Sequence, residues 1–355
     1  LMNYTIAVIG GDGTGPEVIS EALKVLKAVE SETLSFTFTD LPYNGTRYLE
    51  TGETLSDNEC LALRNYDAIL LGAIGHTDIK PGILERDILL KMRFDLDQYI
   101  NLRPVTLYPN VETPLKHVTP SDIDYVVVRE NTGGLYTGKG SCINKGRSDE
   151  VTTQVMEYSR HQVERCIRYA FETATRRKAQ GKQGKVTLCG KTNVLTYVYD
   201  LWDRVLHEVG EEFPDIERDY VHVDAVCIYM VESPQRFDVI VTGNMFGDII
   251  TDLAAVTQGG MGVAGSGNIN PNGVSMFEPI GGTAPAFTGL NQINPMAAIT
   301  AAHMMVDYLG HTDISQKIES AKIRVIQQMA SMQAGKMGYS TTDIGDKVAD
   351  QLQRG

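Results

Sequence analysis

Apolar residues in this chain occur in short runs that alternate with stretches of helical spacing. The runs at residues 4–9, 66–71 and 124–129 have the length of buried strands. Residues 17–29 and 150–178 repeat apolar positions every three or four residues, which predicts helices. Strands that alternate with helices indicate an α/β architecture.

The second half of the chain continues this pattern. Residues 185–188, 220–223 and 239–241 are predicted strands, and residues 294–309 and 314–334 are predicted helices. Residues 131–147 are glycine-rich and polar, which indicates a hairpin region. Residues 258–289 are rich in glycine, proline and asparagine, and we expect a long loop that carries function.

Composition limits the class of protein. At 355 residues the chain is long for one core, so two domains are expected. The net charge of −13 argues against nucleic acid or an anionic membrane as partner. Five cysteines without metal spacing predict reduced thiols, and no apolar run is long enough to span a membrane. We therefore expect a cytoplasmic enzyme.

Two carboxylates lie four residues apart in VTGNMFGDIITD, at Asp248 and Asp252. On a helix this spacing places both on one face. Residues 249, 250 and 253–255 look like core, so a cation should compensate the pair, and Mg²⁺ or Mn²⁺ suits oxygen ligands. Taken alone, the motif is better explained as a solvated helix face.

The glycine loop at residues 10–17, GGDGTGPE, does not fit a dinucleotide fingerprint. Its glycines do not give GxGxxG, and Pro16 lies where the helix should begin. A tight turn before a helix that begins near Pro16 is the simpler interpretation.

Three arginines could clamp the carboxylates of a small di- or tri-acid: Arg93, Arg103 and Arg129. Tyr136, seven residues beyond Arg129, is a candidate proton donor. Lys191, which follows a predicted strand, is a candidate base. Each of these also has an ordinary structural explanation when it is considered singly.

Nine ordered blocks make the chain resemble the β-decarboxylating dehydrogenases, which include isopropylmalate, isocitrate, homoisocitrate and tartrate/malate dehydrogenases. The blocks are GGDGTGPEV (10–18), LLKMRFDLDQYINLRP (89–104), VVVRENTGGLY (126–136), KTNVL (191–195), VDA (223–225), NMFGDIITD (244–252), SGNINP (266–271), EPIGGTAP (278–285) and INP (293–295). The resemblance implies an α/β isopropylmalate/isocitrate dehydrogenase-like fold, distinct from a standard Rossmann fold. Two α/β domains would share a large central sheet with a cleft between them.

The resemblance also implies the domain assignment. Residues 1–103 with 259–355 would bind the cofactor, and residues 104–258 would bind substrate and metal and form the dimer. The protein would be a homodimer with shared active sites, and its substrate would be a small malate-type di-acid.

The resemblance implies a role for each matching residue. Substrate would be bound by Leu89, Arg93, Arg103, Arg129 and Asp224. Tyr136 would protonate C3, and Lys191 of the partner subunit would help remove the C2 hydroxyl proton. Asp248 and Asp252 would bind Mg²⁺ or Mn²⁺ together with Asp224 of the partner subunit. The cofactor would be bound by Ile74, Gly75, Asn193, Gly282, Thr283, Ala284, Pro285, Ala286 and Asn294.

Two features refine what the resemblance implies. Leu89 and Leu90 lie where isocitrate enzymes typically offer a serine, which favours a 3-alkylmalate and 3-isopropylmalate first. The alternatives are tartrate or D-malate, another 3-alkylmalate, isocitrate and homoisocitrate. The segment GGTAPAF has Gly281 and Ala286 where NAD-specific relatives usually have histidine and aspartate, and the lysine–tyrosine pair of NADP-dependent relatives is also missing. NAD is therefore expected, with NADP open. A silent regulatory subunit is disfavoured because the catalytic set is complete.

Overall fold

A computed structural model describes residues 2–353. The strands are β1 Met2–Gly11, β2 Leu34–Asp40, β3 Ala68–Ala73, β4 Ile100–Thr106, β5 Asp124–Glu130, β6 Gly140–Ile143, β7 Val151–Gln154, β8 Lys185–Gly190, β9 Glu217–His222, β10 Val239–Thr242, β11 Gly265–Ile269 and β12 Ser275–Pro279. The helices are α1 Gly15–Ala28, α2 Gly45–Thr51, α3 Asp57–Ala62, α4 Lys91–Asp95, α5 Arg160–Ala179, α6 Val198–Gly210, α7 Val223–Glu232, α8 Asn244–Thr257, α9 Met296–Tyr308, α10 Thr312–Ile326 and α11 Thr341–Gln353.

The described chain forms two compact units. Unit 1 contains the described residues up to Gln98, the segment Thr106–Pro120 and the described residues from Ala255 onward. Unit 2 contains Tyr99–Val105 and Ser121–Ala254. Both units alternate strands with helices, so the predicted α/β class is confirmed.

In unit 1 the strands follow the order β2-β1-β3-β12-β11. β1 pairs in parallel with β2 and β3, β3 pairs in parallel with β12, and β11 runs antiparallel to β12. The alternation of β1, β3 and β12 with helices α1 and α9 buries continuous apolar runs such as Ala68–Ala73 on both faces.

In unit 2 the strands follow the order β4-β5-β10-β8-β9, and β5, β10, β8 and β9 are parallel. The carboxyl ends of parallel strands meet at one edge of a sheet, where ligand sites of α/β proteins commonly form. Arg129 lies near the end of β5, and the turn that begins α8 follows β10.

The helix predicted over residues 150–178 begins later than expected. Residues 151–154 form β7, which pairs with β6 in an exposed hairpin. The helix α5 begins at Arg160, where the Ser159 side chain accepts the Gln162 N–H and the Gln162 side chain accepts the Ser159 N–H. This reciprocal cap satisfies two N–H groups and sets the start of the helix.

The prediction of a long loop over residues 258–289 is wrong in its middle. Residues 265–269 and 275–279 form the buried strands β11 and β12. Glycine, asparagine and proline residues in and around these strands favour a loop locally. The strands form because they pair with each other and β12 pairs with the distant β3, which a local pattern does not indicate. The helix predicted to reach residue 334 ends at Ile326.

Within residues 2–353, no helix combines the length and the apolar character needed to cross a lipid bilayer. The five cysteines are all free thiols, and Cys60, Cys166 and Cys189 are buried.

Candidate active site

Both predicted metal carboxylates lie on α8, one turn apart. α8 begins directly after β10 and a turn at Gly243, where a side chain would approach the hydroxyls of Tyr158 and Tyr199 to 2.9 Å. The Asp248 side chain is 43% exposed, and Asp252 is also exposed. The expected core beside them is only partly present, because Ile250 is buried while Ile249 is exposed.

Arg129 is the charged partner of Asp248. Its side chain is fully buried, and Nη1 donates to Asp248 Oδ1 at 2.7 Å. The arginine passes over Gly247, where a Cβ atom would come within 2.4 Å of Arg129 Cγ. A glycine is therefore required one residue before the aspartate.

Tyr136 completes this cluster. It lies on a 3₁₀ turn, Gly134–Thr137, and its hydroxyl donates to Asp248 Oδ2 at 2.7 Å. The Arg129 guanidinium is 5.3 Å from the centre of the tyrosine ring. The two oxygens of one half-exposed carboxylate are thus bonded to a buried cation and to the proposed proton donor.

Arg103 also reaches α8. It is buried on β4, its Nε donates to Asn101 Oδ1 at 2.9 Å, and its Nη1 donates to Thr251 Oγ1 at 3.0 Å. Arg103 and Arg129 are therefore both held against the helix that carries Asp248 and Asp252. Neutral acceptors hold Arg103, so its positive charge is not compensated by these two contacts.

Arg93 lies on α4 in unit 1 and is 6% exposed. Its Nη2 donates to Glu278 Oε1 at 3.3 Å, and its buried Nε has no acceptor among the described residues. A buried donor without an acceptor is costly, and an anionic ligand would satisfy it. Leu89 lies in a π-helical stretch, Glu85–Leu90, and packs on the apolar core that contains Ile88 and Met92.

Lys191 and Asp224 are paired with each other. Lys191 follows β8, Asp224 lies in the first turn of α7, and Nζ donates to Oδ1 at 2.8 Å. This hydrogen bond lowers the pKa of the Asp224 carboxyl. Within residues 2–353, no three side chains of the types His, Cys, Asp and Glu converge as a metal cluster. The described chain therefore does not bring Asp224 together with Asp248 and Asp252.

Unit 1 contains a cavity of about 630 Å³ beside the loop at residues 10–17. The predicted cofactor residues Gly282, Ala284 and Asn294 line it, together with Thr14 and Gly281. Thr283 is held against that loop, because its carbonyl accepts the N–H and the hydroxyl of Thr14. Pro285 and Ala286 are exposed beyond the cavity wall.

Asp12 organises the glycine loop, and sequence reasoning gave it no role. Its buried carboxylate accepts the Gly45 N–H at 2.8 Å and the Gly75 N–H at 3.1 Å. This contact places Gly75 and the neighbouring half-buried Ile74, both predicted to bind the cofactor. The remaining predicted residue, Asn193, is exposed after β8.

Comparisons with known proteins agree with this arrangement. Residues 5–349 match the family model described as isocitrate/isopropylmalate dehydrogenase. The chain is 47% identical over 350 residues to the 3-isopropylmalate dehydrogenase of Thermobifida fusca, covering 98% of this chain and 97% of the relative. It is 48% identical over 352 residues to the enzyme of that name from Corynebacterium diphtheriae, covering 98% and 99%.

A solved structure gives the same result at the level of the fold. The crystal structure of isocitrate dehydrogenase from Methylococcus capsulatus matches with a TM-score of 0.85 at 32% identity, covering 99% of each chain.

Proposed function

The chain belongs to the isocitrate/isopropylmalate dehydrogenase family and is a decarboxylating dehydrogenase, and we propose that it catalyses the oxidative decarboxylation of 3-isopropylmalate. The products would be 2-oxo-4-methylpentanoate, CO₂ and NADH, as a step of leucine biosynthesis in the cytoplasm. The observation that carries the proposal is the bonding of Asp248 to both Arg129 and Tyr136. The names of relatives that are 47–48% identical over 98% of the chain support the choice of substrate.

The residues fit the oxidation and the loss of CO₂. Arg93, Arg103 and Arg129 bind the malate carboxylates, since buried guanidinium groups recognise carboxylates strongly. Lys191 of the partner subunit accepts the proton of the C2 hydroxyl while C2 loses hydride. The resulting β-keto acid releases CO₂, and Tyr136 donates a proton to C3. Bound NAD⁺ would accept the hydride, and a divalent cation would stabilise negative charge on the C2 oxygen.

The donor set fits a hard divalent cation. Asp248 and Asp252 offer carboxylate oxygens from one helix face, which suits Mg²⁺ or Mn²⁺. Two carboxylates do not complete a coordination sphere, and we propose that Asp224 of the partner subunit adds the third.

A homodimer follows from this proposal, and exposed apolar side chains support it. Ile228 and Val231 on α7 are exposed, and so are Ile249 and Val256 on α8. The hairpin β6–β7 is exposed along its whole length. We propose that these exposed residues contribute to the dimer interface, since exposed apolar patches are typical of association surfaces.

The cavity in unit 1 favours NAD over NADP. Among the described residues that line it, Glu112 is ionisable, and none is lysine, arginine or histidine. A 2′-phosphate would have no cation to pair with there, and the acidic residue would repel it. This supports NAD even though Ala286 replaces the aspartate of NAD-specific relatives.

A substrate panel tests the proposal. Initial rates are measured with 3-isopropylmalate, D-malate, tartrate, isocitrate and homoisocitrate, each with Mn²⁺ and with either NAD⁺ or NADP⁺ at equal concentration. We expect the highest kcat/KM for 3-isopropylmalate with NAD⁺ and no turnover in a chelator. A higher kcat/KM for D-malate or tartrate would overturn the assignment of 3-isopropylmalate as substrate. A preference for NADP⁺ would overturn the cofactor assignment. Asp252→Asn should lower turnover and raise the Mn²⁺ concentration that gives half-maximal activity, whereas Asp215→Asn at an exposed position should change neither.

A further inference from the structure

Asn244 is the first residue of α8, and three different segments meet at it. Its side-chain oxygen accepts Arg129 Nε at 3.1 Å and Nη2 at 2.8 Å. Its side-chain nitrogen donates to the Gly133 carbonyl at 3.2 Å, and its backbone N–H donates to the Tyr158 hydroxyl at 2.7 Å. The residue is 1% exposed, so these contacts replace water completely. A polar side chain this deeply buried and bonded is held in one orientation.

The contact with Arg129 fixes the plane of the guanidinium. One edge of the group is held by Asn244 Oδ1, which leaves Nη1 aimed at Asp248. Because Asn244 and Asp248 lie one turn apart on α8, both anchors belong to the same rigid helix. The amide is also neutral, so it orients Arg129 without cancelling the charge that a substrate carboxylate requires. An aspartate at this position would place a negative charge against the guanidinium.

The contact with Gly133 fixes the segment that carries Tyr136. The Gly133 N–H donates to Glu130 Oε2 at 2.7 Å, and the Gly134 N–H donates to the Glu157 carbonyl at 2.9 Å. With its carbonyl bound to Asn244, this glycine pair is held from both sides. Tyr136 follows two residues later in the same turn.

An aromatic cluster of Tyr158 and Trp202 packs against the loop that contains Gly133. A Cβ atom at Gly133 would come within 2.8 Å of the Tyr158 ring, so the loop lies directly on that ring. Trp202 packs edge-on against Tyr158, with ring centroids 5.5 Å apart. Trp202 is the single tryptophan of the chain, and it therefore reports on this cluster by its fluorescence.

We propose that Asn244 is a positioning residue: it sets the orientation of Arg129 and the place of Tyr136, so that both meet Asp248 at once. The inference rests on the proposed function, because it assigns the substrate carboxylate to Arg129 and the proton transfer to Tyr136. Asn244 acts through these two residues and does not itself touch the substrate.

Steady-state kinetics of Asn244→Ala and Asn244→Asp test the proposal. Loss of hydrogen bonds to a charged group should lower kcat/KM of Asn244→Ala by roughly tenfold to a hundredfold. Asn244→Asp retains the acceptor for Arg129 but adds charge, so KM for the acid should rise more than kcat falls. Asn3→Ala, at an exposed asparagine that also bonds through its side chain, should leave both constants within about twofold. Unchanged kinetics in both Asn244 variants would overturn the inference.

A double-mutant cycle separates positioning from general damage. If Asn244 acts through Tyr136, adding Asn244→Ala to Tyr136→Phe should lower kcat by no more than about twofold further. Fully additive losses would contradict the proposal. An unchanged emission maximum of Trp202 identifies variants that keep the aromatic cluster, and the nearly isosteric Asn244→Asp decides the question should Asn244→Ala not fold.

A readout that does not depend on turnover separates this inference from the proposed function. In a crystal structure of Asn244→Ala without substrate, the Arg129 guanidinium should rotate and the Tyr136 hydroxyl should leave Asp248. A guanidinium that stays on Asp248 would overturn the inference. A wild-type protein that oxidises no acid of the panel would instead overturn the proposed function, and the crystal structure would still decide the role of Asn244.

Discussion

Two clusters of charged side chains, one from each unit, differ in how far their charged groups are shielded from solvent. The Lys322 cluster of unit 1 consists of Tyr108, Thr300, His303, Glu319 and Lys322. The Lys322 Nζ donates to the Tyr108 hydroxyl at 2.8 Å and to Thr300 Oγ1 at 2.7 Å, and it lies 2.9 Å from Glu319 Oε2. The Lys322 side chain has no exposure to solvent.

The Asp248 cluster of unit 2 consists of Arg129, Tyr136, Asn244 and Asp248. Its arginine is 1% exposed and so nearly as buried as Lys322, but its carboxylate is 43% exposed, against 28% for the carboxylate of Glu319. In a closed cluster, removal of one partner leaves the other charged group inside the protein without its counter-charge, which destabilises the fold. A cluster with an open carboxylate can exchange a protein partner for a ligand. We therefore expect activity to depend on the Asp248 cluster and stability on the Lys322 cluster.

The largest expected effect is on turnover in the Asp248 cluster. Tyr136→Phe removes the hydroxyl that donates to Asp248, and loss of a general acid lowers kcat by roughly a hundredfold or more. Tm should change little, because the ring remains. Tyr339→Phe on the surface of unit 1 is the matched control. A kcat within threefold of the wild type would remove Tyr136 from the reaction.

The second expected effect is on stability in the Lys322 cluster. Lys322→Met leaves Glu319, whose side chain is 28% exposed, without its cation, which should lower the free energy of unfolding by about 3 kcal/mol, the lower end of the range for buried pairs. The kcat of the folded enzyme should stay within about twofold. Lys27→Met breaks a surface pair with Glu30 and should cost at most about 1 kcal/mol. Equal losses in the two variants, measured by urea denaturation, would refute the comparison.

The smallest expected effect is a pH dependence of stability that belongs to His303. Burial lowers the pKa of His303 to about 4, from 6.5 in an unfolded chain. The unfolded chain therefore takes up a proton first as the pH falls, so this contribution is present above pH 6.5 and lost progressively towards pH 4. The full loss is roughly 3 kcal/mol.

Urea denaturation of the wild type and His303→Gln at pH 7 and pH 5 measures this contribution. The wild type should lose more stability between the two pH values than the variant does. Burial raises the pKa of Glu319, but Lys322 and His303 outweigh this effect and lower the pKa to about 2. Glu319 therefore stays ionised in the folded protein from pH 7 to pH 5. The difference in stability loss between wild type and variant over this range is thus due to His303. Identical losses in both proteins would show that His303 titrates normally in the fold.

Charged and aromatic residues of the Asp248 cluster could be named from the sequence, because their types are rare at such positions. A buried arginine at the end of a valine-rich strand requires a partner, and two aspartates at helical spacing became candidate metal ligands once the other blocks were considered with them. The roles assigned to Lys191 and Asp224 remain predictions, since the described chain pairs these two residues with each other.

Residues that hold the cluster could not be named in this way. Asn244 and Thr251 are common residue types, and their side chains bond to arginines 115 and 148 positions earlier. The signal for Asn244 was present, because it begins the same NMFGD block as Asp248, but nothing in the block indicates which way an amide points. Strands β11 and β12 were missed for a related reason, since the glycine and asparagine of β11 and of the segment before β12 favour a loop locally.

The sequence by itself determined the α/β class, the family and the chemical types available for catalysis, because these depend on local spacing and on residue identity. Tertiary structure decided which of those groups meet. It bonded Arg129 and Tyr136 to opposite oxygens of Asp248, buried the Lys322 side chain completely and buried a glycine-rich segment as two strands. These outcomes depend on contacts between residues far apart in the chain, and a local sequence pattern does not indicate how strong such contacts are.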